Sequence, residues 1–157
     1  MNTAEYAAWA EASIPPYAAE KVKSGRWPEA QAIDLARKEF EQLLPKQQET
    51  AGNYFFNVLG DDSETVGSLW CAKAQRVGYE IAYVYDIVIQ QEYRRRGHAM
   101  RALQALEVEA SLLGLAGVAL HVFGHNEGAI ALYRKLGFEP TNINMYKALP
   151  TCQRSEA

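Results

Sequence analysis

The hydrophobic positions of this chain change period along its length, and each change marks an element. Residues 4–11 read as one or two helical turns, interrupted by Pro15 and Pro16. Proline suits the first turn of a helix, so 16–23 reads as a second short helix that ends at Gly25. Pro28 opens a third, with Ile33, Ala36, Phe40 and Leu43 as its apolar stripe and Pro45 as its stop. The period then shortens to two. Residues 53–59 and 65–74 are β-rich, and the turn Gly60-Asp61-Asp62-Ser63 joins them as an antiparallel hairpin. A third strand covers roughly 79–90. The helical period returns at Met100, Leu103, Leu106, Ala110 and Leu113. Gly114 and Gly117 bracket the turn into a strand over 118–123. A helix over 126–136 follows, with Gly137 as its C-cap, then a last strand over 143–149 and a frayed tail, 150–157. The pattern predicts one α/β domain over 1–157, a mixed, mostly antiparallel sheet with helices on both faces. Its parts are a helical segment (1–45) and a core (50–149).

Chemistry concentrates where the third strand meets the next helix. The apolar run Tyr83-Val84-Tyr85-Asp86-Ile87-Val88-Ile89 leads into Tyr93-Arg94-Arg95-Arg96-Gly97-His98-Ala99. A helix start carries unpaired N–H groups and about half a positive charge, so anions collect there. Gly97 allows backbone to approach a ligand, Ala99 keeps the first turn small, and three arginines add charge. The turn reads as a diphosphate cradle, but neither G-x-G-x-x-G nor G-x-x-x-x-G-K-[ST] is present.

The string Arg94-x-x-Gly97-x-Ala99 resembles the acyl-CoA pyrophosphate loop, [QR]-x-x-G-x-[GA], of GCN5-related N-acetyltransferases. The run from Asn126 to Phe138 resembles that family's second signature, N-x-x-A-x-x-L-Y-x-x-x-G-F. The resemblance covers residues 50–149, with both signatures in the family's order and separation. Its closest likeness is to uncharacterised bacterial acetyltransferases with a His-Val-Phe-x-His-Asn segment, here 121–126, and an Asn-Ile-Asn-Met ending, here 142–145. The family usually begins with a strand before its first helix. This chain reads without it, which touches one sheet edge and not the cofactor site.

The resemblance implies an acetyl transfer from acetyl-CoA to a primary amine, at a site where neighbouring strands splay apart. Backbone of Ile87, Val88 and Ile89 would pair with the pantetheine arm, although the same run is equally a core strand. An N–H near Ile89 would polarise the thioester carbonyl, a donor typically worth about 3–4 kcal/mol. N–H groups from Arg95 to Ala99 would take the pyrophosphate, with Arg94, Arg95 and Arg96 as charge and His98 contributing through its backbone. Tyr133 would be the general acid beside the leaving sulfur. Asn126 reads as an N-cap and, by the resemblance, also as a pantetheine contact. The helices of the first 45 residues would wall the acceptor site, with Tyr17, Glu20 and Trp27 near substrate. Tyr85 and Glu80 join the substrate candidates, Glu80 as a group that could orient a cation.

The base has two candidates. His121 lies five residues before Asn126, where ribosomal-protein N-terminal acetyltransferases keep a catalytic glutamate, and histidine suits the role by pKa. Asp86 reads as sharing a strand face with Ala82, Val84 and Val88, an apolar setting that raises a carboxylate pKa. It also matches the Asp of the acidic pair in diamine acetyltransferases, with Tyr85 in place of the Glu. His125 is a weaker candidate. A lysine-like amine costs about 4.6 kcal/mol to neutralise at pH 7, an α-amine about 1 kcal/mol, so the acceptor decides how much the base matters.

Composition narrows the classes. With 157 residues, 48% hydrophobic and 22% charged, the chain fits one globular domain. A net charge of −3 argues against a nucleic-acid binder using Arg94–Arg96 and against a membrane surface, and is compatible with a cationic acceptor. No apolar run nears the ~20 residues of a membrane span, and no secretory leader is visible. Cys71 and Cys152 lack metal-ligand spacing and suggest no disulfide scaffold, so no metal and a reducing cytoplasm are expected. The expected partner is a small-molecule or peptide amine. A homodimer is compatible with the fold. A non-catalytic acyl-CoA sensor is the rival function, and Tyr133 and His121 argue against it.

Overall fold

The computed structural model describes residues 1–145 and 147. Helices α1 (Thr3–Lys23) and α2 (Ala32–Leu43) precede strands β1 (Asn53–Leu59), β2 (Thr65–Arg76) and β3 (Tyr79–Ile89). Helix α3 (His98–Leu112), strand β4 (Val118–Leu120) and helix α4 (Glu127–Lys135) follow.

The two short helices expected before Gly25 are one continuous α1 that runs through Pro15 and Pro16. Each proline removes one i→i−4 bond, at a cost of roughly 3 kcal/mol in a helix interior. Two features offset it. The orphaned carbonyls belong to Glu11 and Ala12, both exposed, so water can take them. The opposite face buries Tyr6, Trp9, Ile14, Ala18 and Lys21, and each large apolar side chain contributes roughly 1.5–3 kcal/mol. Asn2 and Glu5 start the helix as a capping box, with Glu5 N–H to Asn2 Oδ1 at 2.9 Å. In α2 the buried stripe runs through Ala32 and Ala36, while Ile33 is exposed.

The sheet has strand order β1-β2-β3-β4 and is mixed: the first two pairings are antiparallel and β3–β4 is parallel. Alternation along β2 divides the core. Leu69 and Cys71 pack with Val84, Ile89 and Leu103, with Leu132 and Tyr133 of α4, and with its C-cap Leu136. Trp70 points to the other face, where Tyr6 and Trp9 of α1 meet Phe55, with Phe40 of α2 alongside. Helices therefore cover both faces. No described strand precedes α1, and β1 is a sheet edge.

Register explains the site. Trp70 pairs with Asp86, but its neighbour Cys71 pairs with Val84, so Tyr85 is the extra residue of a β-bulge. The bulge corrects the expected alternation. Val84 faces the α3–α4 side with Cys71, whereas Asp86 lies on the Trp70 face with Val88, not with Ala82 and Val84. Pairing of β3 with β4 covers only Ala82–Val84 against Val118–Leu120. Past Val84 the strands part, so the strand expected to reach Phe123 ends at Leu120 for want of a partner. Ile143, Asn144, Met145 and Lys147 are not in a strand; the rest of the expected last strand, and the tail, lie outside the described residues. Among the described residues no helix is long and apolar enough to cross a membrane.

Candidate active site

The turn between β3 and α3 is built to present N–H groups. Arg95 stands at φ 65° and Gly97 at φ 83°, both left-handed, and left-handed residues in a turn aim successive N–H groups inward. No backbone N–H from Arg95 through Ala99 donates to another described residue. A row of orphan donors at the start of a 15-residue helix could take an anion. Gly97 is the residue that accepts its φ without strain. These groups fit the pyrophosphate of an acyl-CoA.

The three arginines divide their work. Arg94 Nε donates to Ile89 O at 2.9 Å, which fastens the turn to the end of β3. The Arg96 guanidinium lies 5.7 Å from the Tyr93 ring centre, and Arg95 and Arg96 are exposed. His98 is buried, and its Nδ1 lies 2.8 Å from Arg101 Nη2. Arg101 can only donate, so Nδ1 accepts and the imidazole carries its proton on Nε2. Arg101 also donates to Arg96 O at 3.2 Å. Sequence reasoning missed this brace, although spacing of three residues on a helix from His98 was its signal.

Beside the turn, no described strand pairs with β3 on its β4 side beyond Val84, so the backbone of Ile87, Val88 and Ile89 has no strand partner there among the described residues. Ile87 and Ile89 pack their side chains into the core, so it is the backbone that faces outward. Asp86 is half-buried at the bulge. Burial raises its pKa from 3.8 to about 6, partly offset by the Trp9 indole and the Ile87 N–H. Trp9 Nε1 is buried and closes no hydrogen bond of ordinary geometry, so the indole only approaches the carboxyl. Tyr133 on α4 is half-buried with its ring 5.7 Å from Phe138. Burial raises its pKa first, and the Asp86 charge raises it further. Asp86 and Tyr133 thus lie within electrostatic reach of one another, and the phenol keeps its proton at neutral pH. Asn126 Oδ1 accepts from Ala129 N–H at 3.2 Å as the α4 N-cap, which leaves its amide N–H₂ to donate elsewhere.

The acceptor side is aromatic and charged. His121 stands just past β4, exposed, with its ring 5.0 Å from Phe123. Its pKa is lowered by partial burial and then by the positive charges of Arg26 and Lys21. Tyr83 and Tyr85 meet edge-on at 4.9 Å. Tyr17 and Trp27 come together, but around the chain's own Lys21, whose Nζ lies 4.7 and 4.8 Å from their ring centres. Lys21 Nζ also pairs with Glu39 at 3.2 Å. Glu20 is bound to His125, Oε2 to Nε2 at 2.5 Å, which ties the end of α1 to the loop before α4. Glu80 is exposed on the paired part of β3, five residues and roughly 16 Å along the strand from Tyr85. Among the described residues no cluster of three or more His, Cys, Asp or Glu could hold a metal. An apolar hollow of about 320 Å³ between β1 and α3, lined by Phe56, Leu59 and Leu106 among others, is a separate feature.

Known proteins share this fold. The model of the acetyltransferase (GNAT) family matches residues 17–138. The uncharacterized N-acetyltransferase YdgE of Bacillus subtilis is 34% identical over 95% of this chain and 95% of its own. YycN of the same organism is 34% identical over 95% and 96%. The crystal structure of YycN superposes with a TM-score of 0.90, covering 96% of each chain. The cradle, the parted strands and the tyrosine of α4 all lie in or beside the matched segment, and the chain belongs to the acetyltransferase (GNAT) family.

Proposed function

We propose that this chain moves an acetyl group from acetyl-CoA to a primary amine, on a small molecule or a peptide, by direct attack. The observation that carries the reading is the row of unpaired N–H groups from Arg95 to Ala99 beside an open β3 edge. Acetyl-CoA supplies an acetyl group already activated as a thioester. The Arg95–Ala99 amides hold its pyrophosphate, and the backbone of Ile87–Ile89 lines its arm. The Asn126 amide N–H₂ is free to contribute a donor.

His121 takes the proton of the attacking amine. Its lowered pKa keeps the imidazole neutral, the form that can accept. The new N–C bond forms as the C–S bond breaks, and Tyr133 gives its phenolic proton to the leaving sulfur. The Asp86 charge keeps Tyr133 protonated before the step, while it disfavours the phenolate that donation leaves. Proton return from His121 to Tyr133 through water completes the balance.

Titration calorimetry with acetyl-CoA tests the reading, together with thiol release over an amine panel. Gly97→Asp adds a side chain at φ 83° and a negative charge in the cradle, and should abolish binding. Unchanged affinity in that variant overturns the cofactor site. Binding without thiol release for any amine favours a sensor.

A further inference from the structure

The acceptor side holds one charged group that the reaction above does not use. Arg26 sits in the turn after α1, where the N–H groups of Arg26 and Trp27 both donate to Lys21 O, at 3.0 and 3.4 Å. These bonds fold the turn back onto the last turn of α1. The Glu20–His125 contact holds that same helical turn against the loop that follows His121. Trp27 packs edge-on to Tyr17 at 5.9 Å, which fixes the turn from the other side. Arg26 is thereby carried to where its charge reaches both the Tyr17 phenol and the His121 imidazole.

The charges around this mouth are unequally paired. Glu39 is taken by Lys21, and Glu20 by His125. Asp86 is enclosed at the bulge. Among the described residues Arg26 makes no ion pair, and it is exposed. The surface between Tyr17 and His121 therefore carries a guanidinium with no ion-pair partner among the described residues, and the Phe123 ring lies 5.0 Å from that of His121. A guanidinium offers a planar fork of donors that matches carboxylate and phosphate oxygens. An ammonium group meets repulsion at the same spot.

We propose that the acceptor carries an anionic group, a carboxylate or a phosphate, close to its amine, and that Arg26 binds that group while the amine faces His121. This rests on the acetyl-transfer reading above. It also reverses the expectation of a cationic acceptor drawn from the net charge of −3, because the exposed charge near His121 that makes no ion pair among the described residues is a cation. Arg26 is a specificity residue on this account: it selects and orients the acceptor and takes no part in proton transfer.

The test uses matched amines and the full chain. One arm pairs tyrosine and glycine with their decarboxylated counterparts, tyramine and methylamine. The second pairs O-phosphoethanolamine with ethanolamine. Thiol release is followed at saturating acetyl-CoA, and each rate is referred to the neutral-amine fraction. The expected result is a kcat/KM at least tenfold higher for the anionic member of one arm, and which arm it is separates carboxylate from phosphate. Arg26→Gln should bring that ratio towards one, mainly by raising KM for the anionic member, and Arg26→Lys should keep part of it. Calorimetry with acetyl-CoA on Arg26→Gln should give the wild-type affinity, which checks that the variant is folded. Neutral amines that react as well as their anionic partners in both arms overturn the proposal and leave acetyl transfer standing. So does an unchanged ratio in Arg26→Gln. Absence of transfer to every amine, with acetyl-CoA bound, overturns the transfer reading and this proposal together.

Discussion

The indole of Trp70 and the phenol of Tyr85 stack with ring centres 4.5 Å apart and planes 16° from parallel, although the residue in register with Trp70 is Asp86. Tyr85 is the surplus residue of the bulge, and its ring covers the indole that its neighbour faces. The stack holds the bulge closed and keeps Asp86 turned towards Trp9. It also ends the run of residues that β4 can pair, so one local irregularity sets both the enclosed carboxyl and the unpaired edge of β3.

Asp86 gives the fold a pH dependence of unusual sign. Its folded-state pKa of about 6 lies above the ordinary 3.8, so the folded chain holds this proton more tightly than the unfolded chain. The stability this provides is present in full below about pH 3.8 and is lost as pH rises through about 6. Two pKa units correspond to about 3 kcal/mol. Asp86→Asn should therefore be more stable than wild type at pH 7.5, by up to ~3 kcal/mol, with the gap closing near pH 4. Urea melts at the two pH values measure it, and a gap that is constant with pH refutes the enclosed carboxyl.

Tyr133→Phe keeps the ring in its contact with Phe138 and removes only the hydroxyl. Acetyl-CoA affinity should stay near wild type, and kcat should fall by ~10²-fold, the usual span for a general acid. Presteady-state thiol release establishes that chemistry limits the rate. Full turnover under those conditions would leave Tyr133 a packing residue.

His121 should govern the rising limb of log kcat/KM against pH. Partial burial first, and then Arg26 and Lys21, push its pKa below 6.5, so the limb should have its midpoint below that value. Arg26→Gln removes a positive neighbour and should move the midpoint upward. His121→Gln should remove the limb and slow the reaction. Acceptors of different amine pKa must be compared, since only the neutral amine attacks. A limb that follows the acceptor's pKa and survives His121→Gln rejects the histidine.

Gly67 is a packing requirement of the β2–β3 pair. A Cβ at this position would sit 2.2 Å from Val88 O, a backbone atom that cannot step aside. Gly67→Ala should cost about 1–3 kcal/mol, the range for overpacking, and disturb the unpaired edge of β3. Thermal denaturation reads the loss. A melting point within 1 °C of wild type, estimated from ~2–8 °C per kcal/mol, would refute the contact.

Much of the fold was legible because its signals are local. Periodicity located β1, β2, β3 and α3 within a residue or two, and the two signature strings marked the turn before α3 and the helix of Tyr133. The misreadings arose where distant parts decide. Pro15 and Pro16 read as a break, and only the burial of Trp9, Ile14 and Ala18 against other elements shows why the helix continues. The face of Asp86 was misread because a bulge is a property of two strands and not of one. Tyr17 and Trp27 read either as substrate contacts or as exposed faces and core anchors, and no pattern shows that Lys21 fills the space between them. Arg26 carried no signal at all in a turn of polar residues.

The prolines of α1 have a consequence for cooperativity. Positions 15 and 16 have no amide hydrogen, so two consecutive rungs of the helical ladder are absent between its halves. The first half is tied into the Tyr6–Trp9–Phe55–Trp70 core. The second carries Tyr17, Glu20 and Lys21, the wall of the acceptor side. Amides after the seam should exchange with solvent through openings of lower free energy than those before it. Slower exchange before the seam than after it would show that this single helix behaves as two units of different stability, with the aromatic anchor as the firmer one.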